Sequence, residues 1–407
     1  MRIAIENGHI FDTETLDFTG EATLIIEDGV IAGIGEKAAS ADLRIDAKGQ
    51  YVMPGLIDAH IHLRLATMDF RKLAAWSEVE FGLHMARLAR ETLERGFTSV
   101  RDIGGEVEGI IRAISSGLLE GPRITRAGRM ISQTGGHGDA EGGARPVPDC
   151  ACQMRHTAFG IVADGADAVR KAARHNLRDG SDFLKIHVSG GVATPSDPLE
   201  CTQYTAEEIT AAVTEARNRH TYVAAHAYTP DAIKLAVANG VHSIEHGNLI
   251  DKEAAEAVAK AGAVMVPTLA TYEAMFEFGA ALKLPARNRE KNKAVYDAGL
   301  ASLEIAREAG VTLGFGTDLI GETQNRQNRE FAIRAEVEPA RDILRAVYHV
   351  NPALCRLEGK AGTLAPGAFG DVVIARRNPC EDIRHLADAA VFSHIIKDGK
   401  PVTRPGA

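Results

Sequence analysis

The chain has 407 residues, 45% of them hydrophobic and 25% charged, with a formal net charge of -9. That much apolar material excludes a disordered chain, and mild acidity without a basic block excludes the electrostatic footprint of a nucleic-acid binder. No run approaches the roughly 18 apolar residues that span a bilayer, and residues 1–15 lack the basic start and apolar centre of a signal peptide, so a cytoplasmic protein without membrane contact is expected.

Residues 1–54 read as short strands joined by tight turns, 2–6, 22–27 and 30–34. Asp28-Gly29 joins the last two, and such a dipeptide suits the positive-φ positions of a two-residue hairpin. The far end repeats the pattern, with strands 371–375, 394–397 and 400–402 and a second Asp-Gly pair at Asp398-Gly399. Neither end can bury a core alone. The two are therefore expected to meet as one discontinuous β-sandwich domain, 1–54 plus 361–407, which the chain leaves at Pro54-Gly55.

Between the ends, strand-length apolar runs alternate with helical stretches. Eight such runs occur, at 55–63, 97–104, 123–131, 182–190, 221–228, 242–248, 263–271 and 312–318. Helical stretches such as 77–95, 164–178, 206–219 and 251–261 separate them. This is the arithmetic of an α/β fold, a (β/α)8 TIM barrel over 55–360. Segments 132–162 and 272–292 are too long for plain crossovers and are expected to overhang the barrel mouth. Cys150 and Cys152 fall in the first of these and read as free thiols, since five cysteines spread along the chain make no disulfide framework. The charged stretch 287–293 reads as a solvated helical face.

Barrel enzymes carry their reactive groups at the C-terminal ends of the strands. The first run ends Asp58-Ala59-His60-Ile61-His62, and strand alternation puts His60 and His62 on one face with Cα atoms ~6.6 Å apart, within reach of a single metal ion. The fourth run carries Lys185, the fifth His226, the sixth His246 and the eighth Asp318. Each alone is weak, because a single histidine on an apolar strand is more often a hydrogen-bonded core residue. Together, six groups at one end of five strands make a metal centre the better reading. Lys185 stands in an otherwise apolar strand, where an unpaired ammonium tends to lose its proton. The neutral amine can add carbon dioxide to form a carbamate able to bridge two metals; the blander reading is a lysine that reaches the rim. Arg101-Asp102 ends the second strand, either as a structural ion pair or as a specificity element.

In these motifs, Pro54-Gly55-Leu56-Ile57-Asp58-Ala59-His60-Ile61-His62, Lys185, His226, His246 and Gly316-Thr317-Asp318, the sequence resembles the amidohydrolase superfamily over almost its whole length. The resemblance implies two divalent metal ions, usually zinc. His60, His62 and Asp318 would hold one and His226 and His246 the other, with carboxylated Lys185 and a hydroxide bridging them. It implies hydrolysis of a carbon–nitrogen bond, with Asp318 as general base and then general acid. It also implies a homo-oligomer.

Three further segments, 132–139, 189–195 and 226–230, are similar to the Xaa-Pro dipeptidases (prolidases) and related carboxypeptidases of that superfamily. The resemblance assigns His137 and Tyr228 to the α-carboxylate of a small dipeptide substrate. Tyr228 shares a strand face with His226, and His137 follows two flexible glycines. The bland alternatives are a solvent histidine and a packing tyrosine. The leading expectation is thus cleavage of Xaa-Pro dipeptides or N-acyl amino acids. A carboxypeptidase for C-terminal Arg or Lys, or a cyclic-amide hydrolase, keeps the chemistry and changes the pocket. An inactive scaffold is the reading from another class, and retention of Asp318 argues against it.

Overall fold

The computed structural model describes residues 1–35, 40–139, 155–156, 160–194 and 197–403, which leaves Cys150 and Cys152 outside the described residues. Alternation of β-branched residues drives the terminal sheet. Arg2–Asp12 and Asp17–Glu27 run antiparallel, and Val30–Gly35 continues the meander. The turn between the last two strands places Asp28 at φ 49° and Gly29 at φ 85°, and Asp398 and Gly399 repeat this at 49° and 67°. These are the positive-φ turns expected of Asp-Gly. Tyr51–Pro54 pairs with Val372–Ala375, which joins the two ends of the chain into one sheet. Ile3, Ile5, Leu24, Ile26, Val52, Val372, Ile374 and Ile396 form its own buried cluster.

Pro54-Gly55 leads directly into the barrel. Among the described residues, eight parallel strand positions surround the barrel axis: Leu56–Ile61, Phe97–Asp102, a third strand split into Arg123–Arg126 and Met130–Ser132, Leu184–His187, Val223–Ala227, Ser243–His246, Val264–Val266 and Thr312–Leu313. The barrel closes where Ala59 N donates to Phe315 O at 2.8 Å and Asp318 N to His60 O at 2.8 Å. In the fifth and sixth strands Ala227 lies opposite His246. That register sets His226 and His246 side by side at the mouth.

Three of the barrel helices open on side-chain caps. Glu78–Glu94 opens on a capping box from Ser77 to Glu80, Ala206–Asn218 on one from Thr205 to Glu208, and Asp251 caps Lys252–Ala261. Two expectations are corrected here. Segment 272–292 is mostly helical, falling in Leu269–Phe278 and Ala286–Glu308 with a connection over 279–285; Ala274 and Met275 pack inward, and Tyr272 and Met275 line the barrel mouth as expected. Nor is 287–293 a solvated face throughout, since Asn288, Lys291 and Asn292 point into the protein. The long segment after the third strand includes a strand at Gly160–Val162, paired parallel to Met130–Ser132. Among the described residues no helix is long and apolar enough to cross a membrane.

Candidate active site

The strand ends converge on a pocket lined by His60, His62, Lys185, His226, His246 and Asp318, the six groups singled out from the sequence. His60 and His62 rings lie 5.4 Å apart, His60 and His246 5.0 Å, and His226 and His246 4.6 Å, centre to centre. Asp318 Oδ1 stands 3.3 Å from His60 Nε2 and 3.2 Å from His62 Nε2, and its Oδ2 stands 3.9 Å from His246 Nδ1. His60, His62 and Asp318 together form a group that could hold a metal ion.

The outer side of each imidazole is also engaged. His60 Nδ1 meets Glu245 Oε2 at 2.8 Å, His62 Nδ1 the carbonyl of Gly104 at 3.3 Å, and His226 Nε2 the carbonyl of Gly190 at 3.1 Å. His246 Nδ1 meets the hydroxyls of Thr268 at 2.8 Å and Tyr272 at 3.0 Å. Each ring thus has one nitrogen committed to an outer partner and the other left for an ion, the usual arrangement around a bound divalent metal. Burial holds His226 and His246 well below the usual histidine range, which keeps them neutral as ligation requires. Burial opposes ionisation of Asp318, but His60 and His62 outweigh it and hold the carboxyl well below its usual range. The donor set, with its outer partners, fits divalent ions.

Lys185 is 2% exposed and forms no hydrogen bond or ion pair among the described residues. Burial pulls its amine down to about 8, so the neutral form is far easier to reach near neutral pH than in a solvated lysine, although the charged form still predominates.

The two residues matched to substrate binding lie on the same pocket. His137 stacks on His226 with ring centres 4.4 Å apart, and its Nδ1 is 3.0 Å from Asp197 Oδ2. The paired glycines after the fourth strand make this possible: a Cβ on Gly191 would meet the His137 ring at 2.1 Å, and one on Gly190 the carbonyl of Pro198 at 1.8 Å. Tyr228 stacks on His246 at 5.1 Å and its hydroxyl lies 2.7 Å from that of Tyr272.

Arg101 and Asp102 do not pair with each other, as neighbours on a strand face opposite ways. Arg101 is fully buried and forks onto both oxygens of Glu245, at 2.8 and 2.9 Å, with Tyr222 and Ser243 hydroxyls at 3.2 Å. Asp102 accepts the amides of Leu63 at 2.9 Å and Gly104 at 3.1 Å, so it shapes the backbone around His62. Sequence reasoning passed over Glu245, Tyr272, Asp197 and Lys291. An acid between Ile244 and His246 in an apolar strand was a readable signal for the first. The others come from loops and helices whose approach to the pocket no local pattern records.

Known proteins give this geometry a family. The amidohydrolase family pattern matches residues 51–402. The chain belongs to the amidohydrolase family. It is 30% identical over 403 residues to ochratoxinase of Aspergillus niger, covering 95% of this chain and 83% of that one. It is similar over the full length of both chains to a prolidase crystallised with N-methylphosphonate-L-proline, at 38% identity and TM-score 0.94. A Xaa-Pro dipeptidase with methionine bound in its active site matches 98% of this chain and 99% of its own, at 29% identity and TM-score 0.87. This amidohydrolase, of the prolidase-like group, is a hydrolytic enzyme acting on amide bonds, and its family generally uses divalent metals.

Proposed function

We propose that this amidohydrolase is a binuclear, zinc-dependent dipeptidase whose preferred substrates are Xaa-Pro dipeptides. In this reading His60, His62 and Asp318 hold one ion, His226 and His246 the second, and carboxylated Lys185 joins them. Bound there, the ions would polarise the scissile carbonyl and acidify a water. The Lys185 amine adds through its nitrogen lone pair to carbon dioxide and loses one proton, and its lack of an ion-pair partner among the described residues supports that role.

The observation that carries the reading is the Asp318 carboxylate, set between the His60 and His62 rings with Tyr228 and His137 on the same pocket. Its Oδ1 faces both imidazoles, which leaves Oδ2 to take the proton of the attacking water and pass it to the departing nitrogen. A prolyl nitrogen leaves poorly unless protonated, so this transfer bears most of the load with such substrates. Tyr228 and His137 would hold the α-carboxylate. Asp318 is the one acid lining the pocket among the described residues, which disfavours a carboxypeptidase for Arg or Lys. The division into a terminal β unit, 1–54 with 361–407, and a catalytic barrel, 55–360, belongs to the same reading and draws support from the separate buried cluster of the terminal sheet.

The test is a panel of Xaa-Pro dipeptides, other dipeptides, N-acyl amino acids and ochratoxin, offered to zinc-loaded enzyme. Highest kcat/KM on Xaa-Pro members is expected. Turnover confined to another class would replace proline as the leaving group.

A further inference from the structure

Helix Ala286–Glu308 turns a polar face inward. Asn288, Lys291 and Asn292 are 2%, 8% and 1% exposed, and their spacing puts them on one side of the helix. The Lys291 ammonium donates to the carbonyls of Gly191 and Thr194, both at 2.8 Å, and to that of Asp197. Asn288 Nδ2 donates to Ala193 O at 2.8 Å. An ammonium has three donors, and here backbone oxygens of the loop after the fourth strand take all of them. Burying a cation is costly unless it is fully hydrogen-bonded, so an ordinary solvated lysine would not be placed here.

The same loop carries the partners of His137. Asp197 Oδ2 accepts from Gly191 N at 2.8 Å and faces His137 Nδ1 at 3.0 Å, while Thr194 Oγ1 donates to His137 O at 2.9 Å. With Nδ1 engaged by Asp197 and, at 3.0 Å, by the Thr194 hydroxyl, Nε2 is the ring nitrogen left to meet substrate. Farther along the helix, Asn292 Nδ2 donates to Tyr272 O at 2.9 Å, and the Tyr272 hydroxyl meets that of Tyr228. One helix face therefore reaches both residues assigned above to the α-carboxylate, each through a single intermediary.

We propose that Lys291 is a positioning residue for substrate recognition: by gathering three carbonyls of the loop, it sets Asp197 where that carboxylate orients His137 toward the substrate's α-carboxylate. The proposal rests on the substrate reading of His137 given above.

The experiment uses Lys291→Met, which keeps the aliphatic stem and removes the donors, and Asp197→Asn, which keeps the carbonyl clamp, weakens its hold on His137 and removes the counter-charge 3.7 Å from the Lys291 ammonium. Hydrogen exchange is followed on metal-loaded protein, and kinetics on Xaa-Pro dipeptides. In Lys291→Met the amides of His137 and Gly191 should exchange about tenfold faster or more, with helix Glu78–Glu94 unchanged. KM should rise about tenfold or more in both variants with kcat within about threefold, and the Lys291→Met effect should largely vanish in a His137→Ala background. Unchanged exchange at those amides, faster exchange throughout the protein, a fall in kcat at constant KM, or full additivity with His137→Ala would each overturn the proposal. If wild type cleaves none of the dipeptides, the substrate reading falls, and the exchange data alone decide whether Lys291 orders His137. Should Lys291→Met not fold, Asp197→Asn carries the kinetic test.

Discussion

Glu245 links the barrel interior to the proposed metal site, and Glu245→Gln tests that link with almost no change of shape. Arg101 and Glu245 both have 0% exposure, and the carboxylate meets Arg101 Nη2 at 2.8 and 2.9 Å, His60 Nδ1 at 2.8 Å and Ser243 Oγ at 2.6 Å. An amide offers one oxygen and one NH2, so at least one of these contacts becomes a donor facing a donor. The guanidinium is left buried without a counter-charge, a situation that costs about 3–5 kcal/mol. That is a large part of the 5–15 kcal/mol or so that holds a typical domain folded. His60 also loses the carboxylate that orients its ring, and losing such a partner typically costs about 10–100-fold in metal affinity. Denaturant unfolding of the metal-free protein reads the first effect, and zinc competition against a chelator reads the second. The paired replacement Arg101→Met with Glu245→Leu should be less destabilised than Glu245→Gln alone, because it leaves no stranded charge. A Glu245→Gln protein within about 1 kcal/mol of wild type, binding zinc equally well, would refute the reasoning.

Asp318→Asn should lower kcat/KM on the best substrate by about 10²–10⁴-fold, the usual contribution of a positioned acid–base group; activity within about threefold of wild type would remove Asp318 from proton transfer. Tyr228→Phe should weaken substrates with a free α-carboxylate by about 10–150-fold, as expected for a hydrogen bond to a charged group worth ~1.5–3 kcal/mol. C-terminally amidated analogues should change little, and equal losses on both would discard the carboxylate contact. Glu330 is 0% exposed, accepts Ala270 N at 2.6 Å, and burial raises its carboxyl from 4.5 to about 8. Between those values the unfolded chain has released this proton and the folded chain retains it, so stability falls as pH rises, by up to ~1.4 kcal/mol per pH unit from this group. Glu330→Gln should flatten that part of the stability–pH profile, and an unchanged slope would refute the assignment.

The strand-and-helix alternation of the barrel was legible because its elements carry their own period and some their own cap: Ser77, Thr205 and Asp251 open their helices, and Asp28-Gly29 its hairpin. The six groups at the strand ends were legible for the same reason, since a barrel converts position along a strand into position at the mouth. The inward face of helix Ala286–Glu308 was not. Lys291 lies in a charged run, and only the approach of a loop about a hundred residues earlier in the chain supplies the carbonyls that make its burial tolerable.

Glu245 was missed for a more specific reason. A strand sends successive side chains to opposite faces, so a metal histidine at 246 places its neighbour at 245 on the outside. Yet Glu245 reaches His60 and Arg101 in the interior while His246 faces Asp318 at the mouth. Both can point inward because His246 sits at φ 77°, where the backbone leaves the regular strand path. Asp318 does the same at φ 51°, one residue after Thr317 Oγ1 donates to buried Asp58 at 2.6 Å. A non-glycine residue held there costs about 1–3 kcal/mol, so two such residues need support from their surroundings. The support is visible in the contacts of His246 with Thr268 and Tyr272 and in the hydrogen bond that the Asp318 backbone N–H donates to the His60 carbonyl. Strand alternation breaks at these two positions because packing overrides it there, which hid Glu245 although His246 and Asp318 were themselves legible from their places at the strand ends.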